Sequence, residues 1–150
     1  MESIEFSGLS DHSIVCGYTS LCSELLKSLK SMNVPTVVIV RDIELSMTLK
    51  NEGFIVFREQ ADDLEVLQKA GLKKAKNVYI CSENDGYNLL IALTVQKFKT
   101  HEHLNYTVTA FVNSSMNADK IKDFCDEVID ISKVLNDYMF KISDEKKPHT

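Results

Sequence analysis

One stretch decides the fold: His12-Ser-Ile-Val-Cys-Gly-Tyr-Thr-Ser-Leu-Cys22. It places an apolar strand directly before Gly17, and a helix is predicted to begin at Ser20. In a dinucleotide-binding turn, three glycines follow such a strand in the pattern G-x-G-x-x-G. Here Thr19 and Cys22 occupy the second and third glycine positions, so the turn keeps only its first glycine.

The rest of the chain repeats this unit of strand, turn and helix. Strands are predicted at residues 13–16, 36–40, 54–57, 77–81, 106–112 and 127–131, and helices at 20–31, 43–51, 62–70, 86–98, 116–124 and 133–142. Such alternation requires right-handed crossovers between parallel strands. We therefore expect an α/β fold, a doubly wound, Rossmann-like parallel sheet of strand order 3-2-1-4-5-6 with a C-terminal helix.

The composition is that of one globular domain, since the 150 residues are 44% hydrophobic and 26% charged. We divide the chain into a lead at 1–10, a Rossmann-like domain at 11–132, and a crossover-type helix with a loose tail at 133–150. No apolar run is long enough to span a bilayer, and the acidic N-terminus does not resemble a signal peptide, so a cytoplasmic location is expected. The net charge of -5 argues against a nucleic-acid partner.

The predicted strand order brings the ends of strands one and four together, and ligands of this fold bind above that point. The walls of the crevice are then the residues from Gly17 to Ser20 and those from Ser82 to Gly86. Backbone N–H groups at a helix N-terminus bind anions, so the first turn after Thr19 is a candidate phosphate site.

Two features disfavour an intact dinucleotide in this crevice. Thr19 crowds the position where the pyrophosphate approaches the backbone, and Val40 replaces the carboxylate that holds the ribose hydroxyls. Arg41 either meets a phosphate or is solvated, and Asp42 is better explained as a helix cap. The ligand is therefore unidentified, with an adenine mononucleotide (AMP, ADP or ATP) preferred over NAD(H).

No catalytic set of residues emerges, because the chain has no serine–histidine–acid grouping and no H-E-x-x-H motif. The expectation is a non-enzymatic protein, with a small NAD(P)-binding oxidoreductase domain as the alternative. Glu83 and Asp85 follow strand four and are candidate ligands for a divalent cation. The competing interpretation is that Asp85 caps a helix and Glu83 is solvated.

The four cysteines form no C-x-x-C pair, which makes a zinc site improbable. Cys16 and Cys81 end neighbouring strands, so a disulfide between them is within reach if their side chains face the same side. Reduced thiols are expected in the cytosol.

The helix at 86–98 has more apolar surface than one sheet face can cover, which predicts that the chain pairs with itself. Its apolar residues are Tyr87, Leu89, Leu90, Ile91, Ala92, Leu93, Val95 and Phe98. The alternative is that the neighbouring helix at 116–124 hides the surplus within one chain.

Six segments together resemble the N-terminal lobe of an RCK (regulator of potassium conductance, TrkA-N-like) domain. They are residues 11–18, 34–42, 67–71 and 75–80, Asp85-Gly-Tyr-Asn88 before a long apolar helix, and residues 121–131 with the final strand. The resemblance implies a cytoplasmic, ligand-sensing regulatory module at the inner face of the membrane. Such modules form homodimers, and octameric gating rings, that act on the pore of a potassium channel or on the membrane subunit of a potassium transporter.

The chain departs from the RCK pattern at Gln60, where the family usually has an aspartate. The usual Gly-Asp-Ala-Thr turn reads Glu59-Gln-Ala-Asp62, which weakens both nucleotide contact and family-style calcium binding. Glu83 and Asp85 match positions that supply acidic ligands in cation-binding members. The absence of a C-terminal lobe implies a channel fragment or a short variant. The predicted cofactor-binding residues are Gly17, Tyr18, Thr19, Ser20, Arg41, Asp42, Gln60 and Ser82.

Overall fold

A computed structural model describes residues 8–145. The strands are β1 (Ser13–Cys16), β2 (Thr36–Val40), β3 (Ile55–Arg58), β4 (Asn77–Ile80), β5 (Thr107–Val112) and β6 (Glu127–Asp130). The helices are α1 (Ser20–Ser31), α2 (Ile43–Asn51), α3 (Leu64–Lys69), α4 (Asp85–Glu102), α5 (Ser115–Ile121) and α6 (Ile131–Glu145). Short 3₁₀ turns follow α3 and α5, at Leu72–Lys74 and Lys122–Phe124.

All neighbouring strands are parallel, and the sheet has the order β3-β2-β1-β4-β5-β6. This confirms the predicted Rossmann-like fold. The neighbouring interior strands β1 and β2 are buried along their whole length, as expected for strands covered on both faces.

Two apolar clusters lie on opposite faces of the sheet. On one face, Leu26 of α1 and Leu49 of α2 pack against Val15 and Val38. On the other face, the core is formed by α3, α4 and α5, and its helical members are Val66, Leu67, Ile91, Ala92, Val95, Phe98 and Ile121. The change of face follows from the topology, because the crossover from β3 back to β4 runs in the opposite direction across the sheet.

The helix α4 is longer than predicted. It continues to Glu102, and His103 ends it in the left-handed conformation with φ 55°. The sequence after Phe98 is polar and suggested a loop, but this last turn has a solvent-facing side and an ion pair between Lys99 and Asp126 at 3.1 Å. His101 therefore belongs to a helix rather than to a connecting loop.

The last helix begins at Ile131, two residues before the predicted start. The carboxylate of Asp130 sets this start, since it accepts hydrogen bonds from the Lys133 N–H and the Ser132 hydroxyl. The predicted lead and loose tail lie largely outside the described residues. Within residues 8–145, no helix combines the length and the apolar character needed to cross a bilayer.

Candidate functional site

A crevice lies at the carboxyl ends of the central strands, where the strand order predicted it. One cavity of about 710 Å³ adjoins a narrower one of about 180 Å³. Both are lined by Tyr18, Arg41, Ser82 and Tyr87, so they form a single crevice. The narrower part reaches Gly17 and the end of β2.

Gly17 lets the two walls of the crevice touch. Its φ of +88° lies in the left-handed region, which favours glycine. A Cβ at this position would lie 2.7 Å from the Ser82 nitrogen and 2.8 Å from the Ser82 Cα. The glycine is therefore required by packing between the β1–α1 and β4–α4 turns, whether or not a ligand is present.

The start of α1 offers fewer anion donors than expected. Thr19 is the extended N-cap, with φ -137°, and its carbonyl accepts the N–H groups of Cys22 and Ser23 at 3.0 and 3.3 Å. Of the four N–H groups from Ser20 to Ser23 in this candidate phosphate site, two are thus already bonded. The Thr19 hydroxyl is also engaged, since it donates to the Cys22 sulfur at 3.4 Å.

The two residues after β2 have different roles: Asp42 caps a helix, and Arg41 carries a positive charge with no ion-pair partner among the described residues. Asp42 accepts the Leu45 N–H at 3.1 Å, which confirms its role as the cap of α2. Arg41 is exposed and lines both parts of the crevice. Among the residues that the structure describes, Arg41 takes part in no ion pair, so its guanidinium is available to an anionic ligand.

Asn88 is the central polar residue of the opposite wall, and sequence reasoning assigned it no role. It is fully buried, and its Oδ1 accepts the Ser82 N–H at 2.9 Å and the Ser82 hydroxyl at 2.8 Å. Its amide nitrogen donates to the Ser82 carbonyl at 3.0 Å. An amide on the buried face of an apolar helix was the available signal, since a buried polar side chain needs partners.

Tyr87 connects the crevice to the turn Glu59-Gln-Ala-Asp62. Its hydroxyl accepts the Ala61 N–H at 2.7 Å. Burial raises the pKa of Tyr87, which keeps the phenol neutral. Gln60, the preceding residue of that turn, is exposed and lies outside the lining of the crevice.

The two predicted metal ligands occupy different environments. Asp85 is in the first turn of α4 and accepts hydrogen bonds from Asn117 Nδ2 at 2.8 Å and from the Asn113 N–H at 3.3 Å. Glu83 is exposed. Within residues 8–145, no three side chains of His, Cys, Asp or Glu are grouped in a way that could hold a metal ion. A cation bound by Glu83 and Asp85 stays a prediction.

The cysteine pair differs from the one considered. The structure joins Cys22 to Cys81, with Cα atoms 6.6 Å apart, whereas Cys16 is a free buried thiol. Cys16 packs in the cluster under α3 and α4, and Cys81 packs in the cluster under α1. Cys16 of β1 pairs with Ile80 of β4, and successive residues of a strand point to opposite faces of the sheet. Cys81, the residue after Ile80, therefore faces away from Cys16, and the two cannot bond.

A larger cavity, of about 900 Å³, lies at the amino ends of the strands, far from the predicted site. Its rim includes Lys73, Lys74 and Lys76. The carboxyl ends of α1 and α4 also border it, through Met32 and His103. Helix carboxyl ends carry partial negative charge, and lysines near them are stabilising without any ligand.

The sequence model of one protein family, the TrkA-N domain, matches residues 13–131 of this chain. The chain belongs to the TrkA-N family. A curated relative, Potassium channel protein 1 of Methanocaldococcus jannaschii, is 29% identical over 98 residues, which are 64% of this chain and 29% of the relative. This chain therefore spans less than a third of that channel protein.

Solved structures share the fold. The TrkA-N domain of the inner membrane protein ybaL from Escherichia coli matches with a TM-score of 0.82 at 18% identity, covering 90% of this chain and 98% of that one. The GsuK channel bound to NAD matches with a TM-score of 0.76 and covers 23% of that chain. GsuK bound to ADP matches with a TM-score of 0.74 and covers 34% of that chain. Both matches are 20% identical and cover 87% of this chain. The likeness extends to the GsuK RCK domain, so the resemblance to RCK lobes is confirmed.

An NAD(P)-binding domain also has this fold. It comes from an exopolyphosphatase-related protein of Archaeoglobus fulgidus, and it matches with a TM-score of 0.74 at 18% identity over 89% of this chain and 98% of that one.

Proposed function

We propose that this TrkA-N domain is a non-enzymatic, cytoplasmic module that senses a ligand and regulates a potassium channel or transporter. The family match and the relative among potassium channel proteins support this assignment. The crevice supports it too, because its lining offers a cation and backbone donors but no nucleophile paired with a base. The function of the site would then be to bind a ligand, and that binding would regulate the pore.

The ligand we propose is an adenine mononucleotide, and the unpaired Arg41 is the observation that carries this choice. A phosphate near the start of α1 would find the N–H groups of Ser20 and Leu21 and the Arg41 guanidinium. Thr19 and buried Val40 leave the site without the close backbone approach and the ribose carboxylate that a dinucleotide uses. GsuK is bound to ADP in one solved structure and to NAD in another, so both ligands need to be tested.

Titration calorimetry and thermal unfolding with AMP, ADP, ATP, NAD(H), NADP(H), Ca²⁺ and Mg²⁺ test the ligand directly, since a ligand held by the native state raises the melting temperature. We expect a mononucleotide to bind most tightly. Replacing Arg41 by Gln should weaken that binding by about tenfold to a hundredfold, because a charge-assisted hydrogen bond contributes about 1.5–3 kcal/mol. Arg58→Gln, an exposed arginine at the end of β3, is the matched control and should bind as the wild type does.

Tighter binding of NADH than of AMP or ATP would overturn the mononucleotide proposal. It would favour the second candidate, an NAD(P)-binding oxidoreductase domain, for which the Archaeoglobus fulgidus likeness is the supporting observation. A divalent cation at Glu83 and Asp85 is tested by the Ca²⁺ and Mg²⁺ arms of the same series.

The partners we propose are a second copy of the chain and a membrane subunit. Apolar side chains are exposed on α4, at Leu90 and Leu93, and along α6. On α6 they are Val134, Leu135, Tyr138, Met139 and Phe140, each more than half exposed. Surfaces of this kind mark sites that another protein covers. Pairing through them, and assembly of pairs into a gating ring, would link the crevice to a pore.

A further inference from the structure

The Cys22–Cys81 pair joins the two walls of the crevice. Cys22 is in the first turn of α1, at the position of the third glycine in the dinucleotide pattern, and Cys81 immediately precedes Ser82. Their Cα atoms are 6.6 Å apart, within the range that disulfides span. They are 59 positions apart in sequence, and the segment between them contains β2, β3, β4 and the helices α2 and α3.

The same site accommodates the reduced form. The Cys22 sulfur lies 3.4 Å from the Cys81 carbonyl oxygen, so a Cys22 thiol can donate a hydrogen bond there. The Thr19 hydroxyl donates to the Cys22 sulfur at 3.4 Å, and the sulfur lies near the amino end of α1. A hydroxyl donor and a helix N-terminus both favour a negatively charged sulfur, the form that attacks a disulfide, whereas the burial of Cys22 opposes it until the two turns separate.

The other two cysteines are unsuited to this chemistry. Burial raises the pKa of Cys16 to about 12, and burial together with Asp126 raises the pKa of Cys125 to about 12. Both remain protonated at neutral pH and are poor nucleophiles. Neither is joined to another cysteine.

We propose that Cys22 and Cys81 form a reversible dithiol–disulfide site whose co-reactant is a low-molecular-weight disulfide, and whose bond clamps the walls of the ligand crevice together. The crevice as a ligand site rests on the function proposed above, whereas the bond and the clamp do not.

The exchange takes two steps. The Cys22 thiolate attacks one sulfur of the small-molecule disulfide, which forms a mixed disulfide and releases one small thiol. The Cys81 sulfur, as thiolate, then attacks the Cys22 sulfur and releases the second small thiol. The two cysteine sulfurs are oxidised, the small molecule is reduced to two thiols, and the two cysteine protons end on those thiols. An excess of small thiol reverses both steps.

The bond restricts the part of the site that an anion would enter. Gly17 and Ser82 already touch across the crevice, and a phosphate on the first turn of α1 would lie beside that contact. The oxidised protein holds the α1 turn against the end of β4, so it cannot separate to admit a ligand. We therefore expect the reduced protein to bind the mononucleotide more tightly, by about fivefold or more.

The test uses the full chain, treated either with oxidised glutathione or with a phosphine reductant. Peptide mass spectrometry after alkylation should show a Cys22–Cys81 linkage and the loss of two hydrogens in the oxidised sample, reversed by reduced glutathione. Hydrogen exchange should be slower in the oxidised protein by roughly tenfold at amides 18–23 and 82–88, because opening of the two turns is restricted. Exchange in β5 should be the same in both samples.

Variants provide the controls. Cys22→Ser and Cys81→Ser should lose the linkage and the exchange difference, and Cys16→Ser should keep both. The wild-type comparison of oxidised and reduced protein needs no variant, so poor folding of a serine variant does not affect the result.

Two results would overturn the proposal: no linked peptide after oxidised glutathione, or a linkage that leaves exchange at both turns unchanged. AMP titrations of the two forms then test the link to the ligand. Equal AMP affinity in both forms would refute regulation of binding by the bond. Absence of AMP binding in either form would instead count against the proposed ligand, while the linkage and exchange results still decide the redox site.

Discussion

Gly17, the one glycine that the dinucleotide turn keeps, is required by packing within the fold. The first glycine of a dinucleotide turn is usually explained by the tightness of the turn beside a ligand. Here the same residue also keeps Ser82 in contact with the β1–α1 turn, since any Cβ would overlap the Ser82 backbone. The motif has thus lost the two glycines that concern the phosphate and helix packing, and has kept the one that the fold itself requires.

We predict that Gly17→Ala destabilises the protein by at least about 2 kcal/mol, since it combines a positive φ with an overlap against backbone atoms. Gly53→Ala is the matched control. Gly53 has a φ of +98°, but its nearest neighbour would be Lys30 Nζ at 3.7 Å, so only the conformational cost of about 1–2 kcal/mol applies. Urea unfolding of both variants measures the difference. Equal losses would show that contact with Ser82 contributes nothing.

His12 predicts a dependence of stability on pH. Its ring is fully buried, Nε2 bonds to the Ala70 carbonyl at 2.8 Å, and Nδ1 has no partner among the described residues. Burial lowers the pKa of His12, although the Ala70 carbonyl and Asp11 act in the opposite direction. Because the unfolded chain binds the proton more readily, the stability from neutral His12 is complete above about pH 6.5 and is lost as the pH falls toward the folded pKa.

Urea unfolding between about pH 7.5 and pH 5.5 measures this effect. In His12→Gln the free energy of unfolding should depend less on pH, by up to about 1.4 kcal/mol per pH unit. The exposed His101→Gln is the control and should keep the wild-type slope. A slope unchanged in His12→Gln would exclude His12 as the responsible group.

Single residues were predictable where one local interaction explains them. The cap at Asp42 follows from a carboxylate before a helix, and the structure has that bond. The Cys22–Cys81 pair was not predictable, because the two cysteines are 59 positions apart in sequence. The partner of Asn88 was not predictable either, since its bonds to Ser82 form only when the β4–α4 turn folds back on the helix. Their positions depend on how the β1–α1 and β4–α4 turns pack, and no local pattern encodes that packing.

At the scale of elements, α4 connects the crevice to two neighbouring turns, the one between β5 and α5 and the one before α3. Asp85 in its first turn bonds to Asn113 and Asn117, which lie between β5 and α5 and within α5. Tyr87 bonds to the turn before α3. Movement of the start of α4 would therefore affect both neighbouring turns, and the exposed Leu90 and Leu93 are part of the same helix.

We predict that Asp85→Ala lowers the free energy of unfolding by about 1–2 kcal/mol, because the Asn113 N–H and the side-chain amides of Asn113 and Asn117 lose their acceptor. Glu83→Ala, an exposed neighbour, should change it by less than about 0.5 kcal/mol. Chemical denaturation in buffer containing EDTA gives both values. The same variants test cation binding, since a cation shared by the two carboxylates would make both substitutions lower the Ca²⁺- or Mg²⁺-induced rise in melting temperature.

Element types were predictable from periodicity, and their ends less so. The spans of β1, β2 and α1 agree with the prediction, since β-branched or apolar runs are bounded there by Gly17, Pro35 and Asn33. The polar end of α4 was missed because hydrophobic periodicity does not register a helical turn that faces solvent.

At the scale of the whole molecule, the sheet order was predictable and the ligand was not. Alternation of six strands and helices leaves few topologies, because crossovers are right-handed and connections are short. The ligand depends on a few side chains beside Gly17, such as those of Thr19 and Arg41, and these side chains can change without altering the fold. The family follows from the match of residues 13–131 to the TrkA-N family model, and the shared fold leaves the choice between a mononucleotide and a dinucleotide to binding measurements.

Self-association is the prediction that belongs to the whole molecule. The exposed apolar surface of α4 is smaller than the sequence suggested. Four of its apolar residues are buried against the sheet, namely Ile91, Ala92, Val95 and Phe98. Leu90 remains 51% exposed and Leu93 38% exposed, and the apolar residues of α6 add a larger uncovered surface. Water contact with such a surface is unfavourable by about 25 cal/mol per Å², which favours burial against a second copy.

We expect light scattering at micromolar concentration to give about twice the 17.0 kDa mass of one chain. Leu93→Glu and Leu135→Glu should each shift the species toward the monomer, because a carboxylate in an apolar interface loses its hydration. Met47→Glu is the matched control, since Met47 is 60% exposed on α2, on the opposite face of the sheet from α4. A monomer in the wild type that neither substitution alters would rule out self-association through these helices. A dimer that only Leu135→Glu disrupts would assign the interface to α6 alone.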